Sequence, residues 1–305
     1  MILKYMIEIR ELTKIYPGNK LAIDSVTFDV KDGEIVGFVG LNGAGKTTTI
    51  KISCGILLPT KGTVIIDGYD IVKDKVEASK RIGWLPEIPI FDNNAKAISL
   101  LKYFAGFHGI TGRKAEELAK ELFKKVGLEG FEERKIGTYS QGMKKRFALA
   151  ASLISDPQNF LFDEVLNGLD PTGIRFFREL ALELKRNGKA VLFSSHILSE
   201  VENLADRVII IHKGKIIKIM GIDEIKIGSE PVLKITINNL NRNIIEYLSS
   251  LGEINIEGKT VSLKKFKEDP AIINNELVKM GAMISSFTQQ NESLEEFFLR
   301  IIGEK

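Results

Sequence analysis

The run "EIVGFVGLNGAGKTTTIKI", residues 34–52, decides the fold. Ile35 to Val39 is apolar and bounded by Gly33 and Gly40, the pattern of a buried strand. It continues into "GLNGAGKT", residues 40–47, which fits the G-x-x-x-x-G-K-[ST] loop, set here between an expected strand and an expected helix. Such a loop wraps a polyphosphate in backbone N–H groups that converge on one point, so Gly40, Gly43 and Gly45 supply the tight turn and the close approach. Leu41, Asn42 and Ala44 complete the loop, the last two mainly through their N–H groups. The N-terminus of the following helix adds partial positive charge, Lys46 reaches the outer phosphates, and the Thr47 hydroxyl, with Thr48 beside it, can ligate magnesium.

With 305 residues the chain is too long for one average core and suits two domains. Its 44% apolar and 27% charged residues are those of a globular protein rather than a disordered one. No stretch approaches the ~18 uninterrupted apolar residues that a bilayer crossing needs. Charges interrupt the N-terminal "MILKYMIEIRELTKIY" too often for a secretory signal, so a cytoplasmic protein is expected. The single cysteine, Cys54, excludes an internal disulfide and reads as a small core residue within "IKISCGILL". A net charge of +3 with scattered lysines gives no nucleic-acid footprint, and no nucleic-acid partner is expected.

"QNFLFDEVLNGLD", residues 158–170, supplies a second element. Asn159 to Phe162 reads as a buried strand that ends at the ligand edge of a parallel sheet in two carboxylates, Asp163 and Glu164. Successive strand residues point to opposite sides, so the two acids can divide the work: Asp163 for the metal, Glu164 for the attacking water. In "KAVLFSSHILSEVENLADRVIII", residues 189–211, a third strand, Ala190 to Phe193, ends in Ser194, Ser195 and His196. That setting places His196 at the same edge as a γ-phosphate contact, whereas His108 and His212 lack such a setting and read as structural or exposed.

"TYSQGMKKRFALAAS", residues 138–152, sets a serine and a glycine at the start of an apolar helix. Ser140 is a good N-cap, Asp156-Pro157 stops a helix running from Met143 to Ile154, and Lys144, Lys145 and Arg146 read as a solvated face. With "GLNGAGKT", "FLFDE", "NGLD", "SSH" and "YSQGMKKR" in this order, residues 5–222 closely resemble the nucleotide-binding subunit of ABC transporters. The resemblance implies an α/β P-loop NTPase fold of the ABC ATPase type, a mixed-sheet core with a helical subdomain at about 88–155, that binds and hydrolyses ATP with Mg2+. It implies a head-to-tail homodimer, or a pair with another ABC ATPase. In that dimer Ser140 and Gly142 of one subunit cap the ATP held by the phosphate loop of the other. It further implies that Tyr16 stacks on adenine, that Asp170 belongs to a loop communicating across the dimer, and that Glu164 and His196 are catalytic.

Glu87, in "GWLPE", stands where most members carry a glutamine that senses metal and γ-phosphate, and a carboxylate there can still ligate magnesium. Gln141 and Met143 depart from the commonest signature, which has glycine and glutamine, and Val165 and Leu166 replace the usual proline and threonine. "FDNNAKAISLLKYFAGFHGI" and "GRKAEELAKELFKKVGL" carry apolar residues at helical spacing and resemble the family's helical subdomain. There Trp84, Phe91, Leu100 and Phe104 either line a groove for a permease or pack within the subdomain.

Residues 223–305 contain no nucleotide motif. "PVLKITINN" alternates as a strand with one wet face, "NRNIIEYLSSLG" reads as a helix, and "EINIEGKTVSL" as a hairpin around Glu257-Gly258-Lys259. A helix opened by Pro270 and a strand, "AMISSFTQQ", complete a βαββαβ order, hence a small α+β ferredoxin-like domain closed by the helix "SLEEFFLRII". This extension resembles one found on ATPases that pair with separately encoded exporter permeases. The expectation is therefore a transporter ATPase, of the exporter class by resemblance, peripheral on the cytoplasmic face of the membrane. The alternatives are a soluble ABC ATPase acting on ribosomes or nucleic acid, and a non-hydrolysing regulatory module.

Overall fold

The computed structural model describes residues 5–228, 231–290 and 293–303. The chain divides between Gly221 and Ile222 into two compact units. The first begins with β1 (Tyr5–Tyr16), β2 (Lys20–Lys31), β3 (Ile35–Val39), α1 (Lys46–Ser53), β4 (Lys61–Ile66), β5 (Tyr69–Asp70), α2 (Lys75–Ser79) and β6 (Ile82–Leu85). It continues with α3 (Ala97–Phe107), α4 (Gly112–Lys125), α5 (Gln141–Ser152), β7 (Asn159–Phe162), α6 (Pro171–Arg186), β8 (Ala190–Ser195), α7 (Leu198–Leu204), β9 (Arg207–His212) and β10 (Lys215–Gly221).

Every residue of β3, β7 and β8 is buried, as strands covered on both faces must be. They belong to a six-stranded sheet of order β10-β9-β3-β8-β7-β6, parallel except for the β9–β10 pair. A second sheet, β2-β1-β4-β5, is antiparallel. The apolar sides of both sheets, through Ile7, Ile9, Val64, Phe38, Leu161 and Ile209, form one core with Ile50 and Ile52 of α1. On the other face α6 brings Phe177 against Phe162 (ring centroids 5.6 Å apart) and Phe193 (5.9 Å), and α7 lies so close to β3 that a Cβ on Gly37 would stand 2.3 Å from Val201 Cγ1.

Helices α3, α4 and α5 pack together around aromatic rings, with Phe91 edge-on to Phe147 at 5.0 Å and Phe104 6.2 Å from Phe91. Of the Trp84, Phe91, Leu100 and Phe104 set, Phe91 and Phe104 make ring contacts within the helical subdomain while staying partly exposed, and Trp84 packs on the core between the sheets. The large apolar residues that are exposed here are Ile88, Ile90, Tyr103 and Phe107.

The second unit holds α8 (Ile222–Gly228), β11 (Val232–Ile237), α9 (Arg242–Leu251), β12 (Glu253–Glu257), β13 (Thr260–Lys264), α10 (Pro270–Lys279), β14 (Ile284–Gln290) and α11 (Leu294–Ile302). Its sheet is antiparallel with order β12-β13-β11-β14, the strand arrangement of a ferredoxin-like sandwich. The alternating Leu233, Ile235 and Ile237 bury against Ile244 and Leu248 of α9 and Ile273 and Leu277 of α10. A reciprocal capping box between Ser293 and Glu296 starts α11. Among the described residues no helix is long and apolar enough to cross a membrane.

Because Phe177 is fully buried and joins two strands through its ring, Phe177→Ala is expected to cost about 3–5 kcal/mol of unfolding free energy, read from the shift of a denaturant midpoint.

Candidate functional site

The parallel register aligns three strand ends. Val39 pairs with Ser195 and Phe162 with Phe193, so the loop after β3, the acids after β7 and the histidine after β8 leave the sheet at one edge. There the loop, Glu164 and His196 line a cleft of about 610 Å³ together with Tyr16, Glu87 and Asn167, whereas Asp163 is not among the lining residues and reaches the cleft through its bond to Thr47.

Helix α1 begins at Gly45, which has no side-chain cap and no acid in the first turn, so its leading N–H groups and dipole stay available to an anion. Gly45 needs its φ of 115°, and a Cβ there would meet Ile23 Cγ2 at 2.5 Å. Of the expected loop residues, Asn42, Gly43, Gly45, Lys46, Thr47 and Thr48 line the cleft. Gly40, Leu41 and Ala44 are not among the lining residues: a Cβ on Gly40 would stand 2.4 Å from the Ile211 carbonyl, and Ala44 is buried in the core. The Gly40 and Leu41 carbonyls act from behind, accepting hydrogen bonds from Lys46 Nζ at 2.6 and 3.3 Å.

The carboxylates divide as strand alternation requires. Thr47 Oγ1 donates to Asp163 Oδ1 at 3.1 Å, and Ser194 Oγ donates to the same oxygen at 2.9 Å. Burial pushes the Asp163 carboxyl above its ordinary value, against the pull of those two hydrogen bonds. Glu164 Oε1 lies 3.1 Å from Lys46 Nζ, and Glu164 Oε2 lies 3.0 Å from His196 Nδ1. Lys46 and Glu164 are almost wholly buried, so each offsets a charge the other could not bear alone. Glu164 also has a φ of 46°, in the left-handed region that non-glycine residues avoid. Its N–H donates to Ser194 Oγ at 2.8 Å and its carbonyl accepts from Lys145 Nζ at 2.8 Å, so both sides of its backbone are held.

Lys145 corrects the reading of three solvated cations. It is 6% exposed, and its ammonium donates to the carbonyls of Glu164 and Val165 (3.1 Å). Burial pushes its pKa down to about 8, while the negative charges of Glu87, Glu164 and Asp163 act in the opposite direction. Arg146 is partly buried as well, donating to the Val126 carbonyl at 3.3 Å, and Lys144 is half-buried. Helical spacing carried the signal, since Lys145 shares a stripe with buried Leu149 and Ser152. Ser194 and Asn167 were also missed, the first being a fully buried hydroxyl between the two acids and the second a lining residue.

Tyr16, at the end of β1, lines the cleft with its hydroxyl 3.4 Å from Thr48 Oγ1, and the Lys14 ammonium sits 5.4 Å from its ring centroid. Ser140, Gly142 and Asp170 are not brought to this cleft; they line a separate one of about 480 Å³ with Met143, Arg146 and Gly168. Ser140 caps α5 by accepting from the Met143 N–H at 3.2 Å, so the helix begins at Gln141 and not Met143. Asp170 caps α6 by accepting from the Gly173 N–H at 2.8 Å.

Comparison with known proteins agrees with this geometry. The family profile described as ABC transporter matches residues 23–167. Over 303 residues the chain is 34% identical to the bacitracin transport ATP-binding protein BcrA of Bacillus licheniformis, an alignment that covers 98% of this chain and 97% of that protein. The chain belongs to the ABC transporter ATP-binding family. As an ABC ATPase it is also 36% identical over 306 residues to the uncharacterized ABC transporter ATP-binding protein YhcH of Bacillus subtilis (strain 168), covering 99% of this chain and 97% of that one. Among solved structures, an ATP-binding subunit of an ABC transporter superposes with a TM-score of 0.68 at 29% identity, over 73% of this ABC ATPase and 92% of that chain. A dimeric ATP-binding cassette in a post-hydrolysis state with ADP and phosphate shares the fold, with a TM-score of 0.65 at 24% identity over 71% of this chain and 99% of that one.

Ser194→Ala would orphan the buried Glu164 N–H and remove one donor from Asp163. It is expected to cost about 1–3 kcal/mol in a urea titration and to lower ATP turnover in the same variant.

Proposed function

We propose that this ABC ATPase hydrolyses magnesium-bound ATP between two copies of itself, or beside a paired ABC ATPase, and thereby drives a separately encoded membrane permease. One observation carries the reading: Lys46, Thr47, Glu164 and His196 line one cleft, with Asp163 hydrogen-bonded to Thr47 at its wall, while the Ser140–Gly142 turn lines another. A single chain therefore holds two halves of a nucleotide site that do not meet within it.

In this reading the loop N–H groups and Lys46 bind the phosphates, and Tyr16 receives the adenine. Among the described residues no group of three His, Cys, Asp or Glu side chains gathers into a metal cage. Thr47 and Asp163, whose oxygens meet at 3.1 Å, suit magnesium, which commonly takes one or two protein oxygens and fills its shell with phosphate and water. Glu87 is a third candidate ligand at the cleft wall. Bound magnesium would neutralise developing negative charge on the phosphates. Glu164 orients and polarises the water that attacks the γ-phosphorus, so that the bond to the β-phosphate oxygen breaks and ADP and phosphate leave. His196 steadies the Glu164 carboxylate and faces the γ-phosphate.

Residues 5–222 would form the ATPase domain, with a helical subdomain at about 88–155, and residues 223–305 an accessory domain. The match to a bacitracin transport ATP-binding protein over nearly the whole chain supports a transport role. Export as the direction follows from the resemblance of the C-terminal extension, and the cytoplasmic face of the membrane as the location from the resemblance to the family.

Glu164→Gln keeps the shape but removes the carboxylate. Its steady-state ATPase rate is expected to fall at least ~100-fold while ATP binding persists. With ATP and magnesium the variant should elute as a dimer in size-exclusion chromatography. Wild-type turnover would remove Glu164 as the base, and a persistent monomer would remove the shared site.

A further inference from the structure

Glu164 carries the chemistry from an unfavourable backbone conformation, with φ at 46°, and something must hold it there. On its N–H side the hold is Ser194, from the neighbouring strand. On its carbonyl side the hold comes from Lys145 on α5, which spans 19 residues of sequence to donate to the Glu164 carbonyl and also reaches that of Val165. A buried lysine is costly, and a neutral residue of similar length would fill the same space at less expense of desolvation. Two further features fit a role for the cation. Among the described residues it bonds only backbone carbonyls, fixing the path of the chain without competing for the Glu164 carboxylate, which is left to Lys46 and His196. It also stands on the helix that Ser140 starts, so the base is tied to the signature turn.

We propose that Lys145 is a positioning residue for ATP hydrolysis: its ammonium clamps the Glu164 and Val165 carbonyls, holding Glu164 in its left-handed conformation with the carboxylate aimed into the cleft. The inference rests on the reading of Glu164 as the group that polarises water. Lys145 is not among the residues that line the cleft. It acts on kcat through where Glu164 stands, and the phosphate loop, which does not depend on it, retains ATP.

The test compares Lys145→Met, which keeps the length and apolar stem but has no donor, with Lys145→Gln, which keeps a donor, in the full-length protein. The measurements are kcat and KM for magnesium-ATP together with the melting temperature. The expected result is a fall in kcat of about 10- to 100-fold for the Met variant, with KM within about twofold of wild type, and partial recovery of kcat in the Gln variant at a similar melting temperature. Equal kcat in all three proteins overturns the proposal. So does a loss that is the same in Met and Gln and follows the melting temperature, because that is the signature of mere packing. Glu164→Gln measured alongside separates the two levels: if it is inactive while Lys145→Met is fully active, only the positioning role is lost, and if Glu164→Gln itself turns over normally, the reading of the base is lost first.

Discussion

Parallel pairing of β3 with β8, and of β8 with β7, is the constraint from which the site follows. Parallel strands end at the same edge, so a glycine-rich loop at residues 40–47, an acidic pair at 163–164 and a histidine at 196 arrive close enough to bond one another directly, Thr47 to Asp163 and both Lys46 and His196 to Glu164. The phenylalanines of β7 and β8 and Phe177 of α6 keep that edge rigid from one face, and the core shared with the second sheet supports it from the other. A site on strand ends is held more firmly than one on free loops, which suits a reaction in which positioning does most of the work.

The second theme is charge held away from water. Lys46, Lys145, Asp163 and Glu164 are all buried, two of each sign within one small volume. Each is satisfied by a specific partner: Lys46 by Glu164 and loop carbonyls, Asp163 by two hydroxyls, and Lys145 by main-chain carbonyls. Removing any one leaves a neighbour uncompensated, and such a network resists single substitutions far less well than its near-neutral sum of charges suggests.

The two clefts are separate within the chain, and the proposed shared site rests on that separation. Ser140 and Gly142 sit at the positive end of α5, yet face a surface distinct from the loop of their own chain. Within one chain both caps satisfy local needs, Ser140 for α5 and Asp170 for α6.

The sequence by itself determined the phosphate loop, the strands ending in Asp163-Glu164 and Ser194-Ser195-His196, and the βαββαβ order of the C-terminal unit. Those are local signals: a glycine spacing, an apolar run closed by polar residues, and an alternation of period two. It was silent on the antiparallel sheet of β1, β2, β4 and β5, whose pairings join segments far apart along the chain. It also misjudged Lys145, because charge argues for water and only the helix's actual contacts show which face is covered. Tertiary structure alone decided that a cation would lie against the Glu164 carbonyl, that Ser194 would stand between the two acids, and that Gly40, Leu41 and Ala44 would support the loop from behind. Each of those depends on which strand lies beside which, a non-local choice that no residue records in its own neighbourhood.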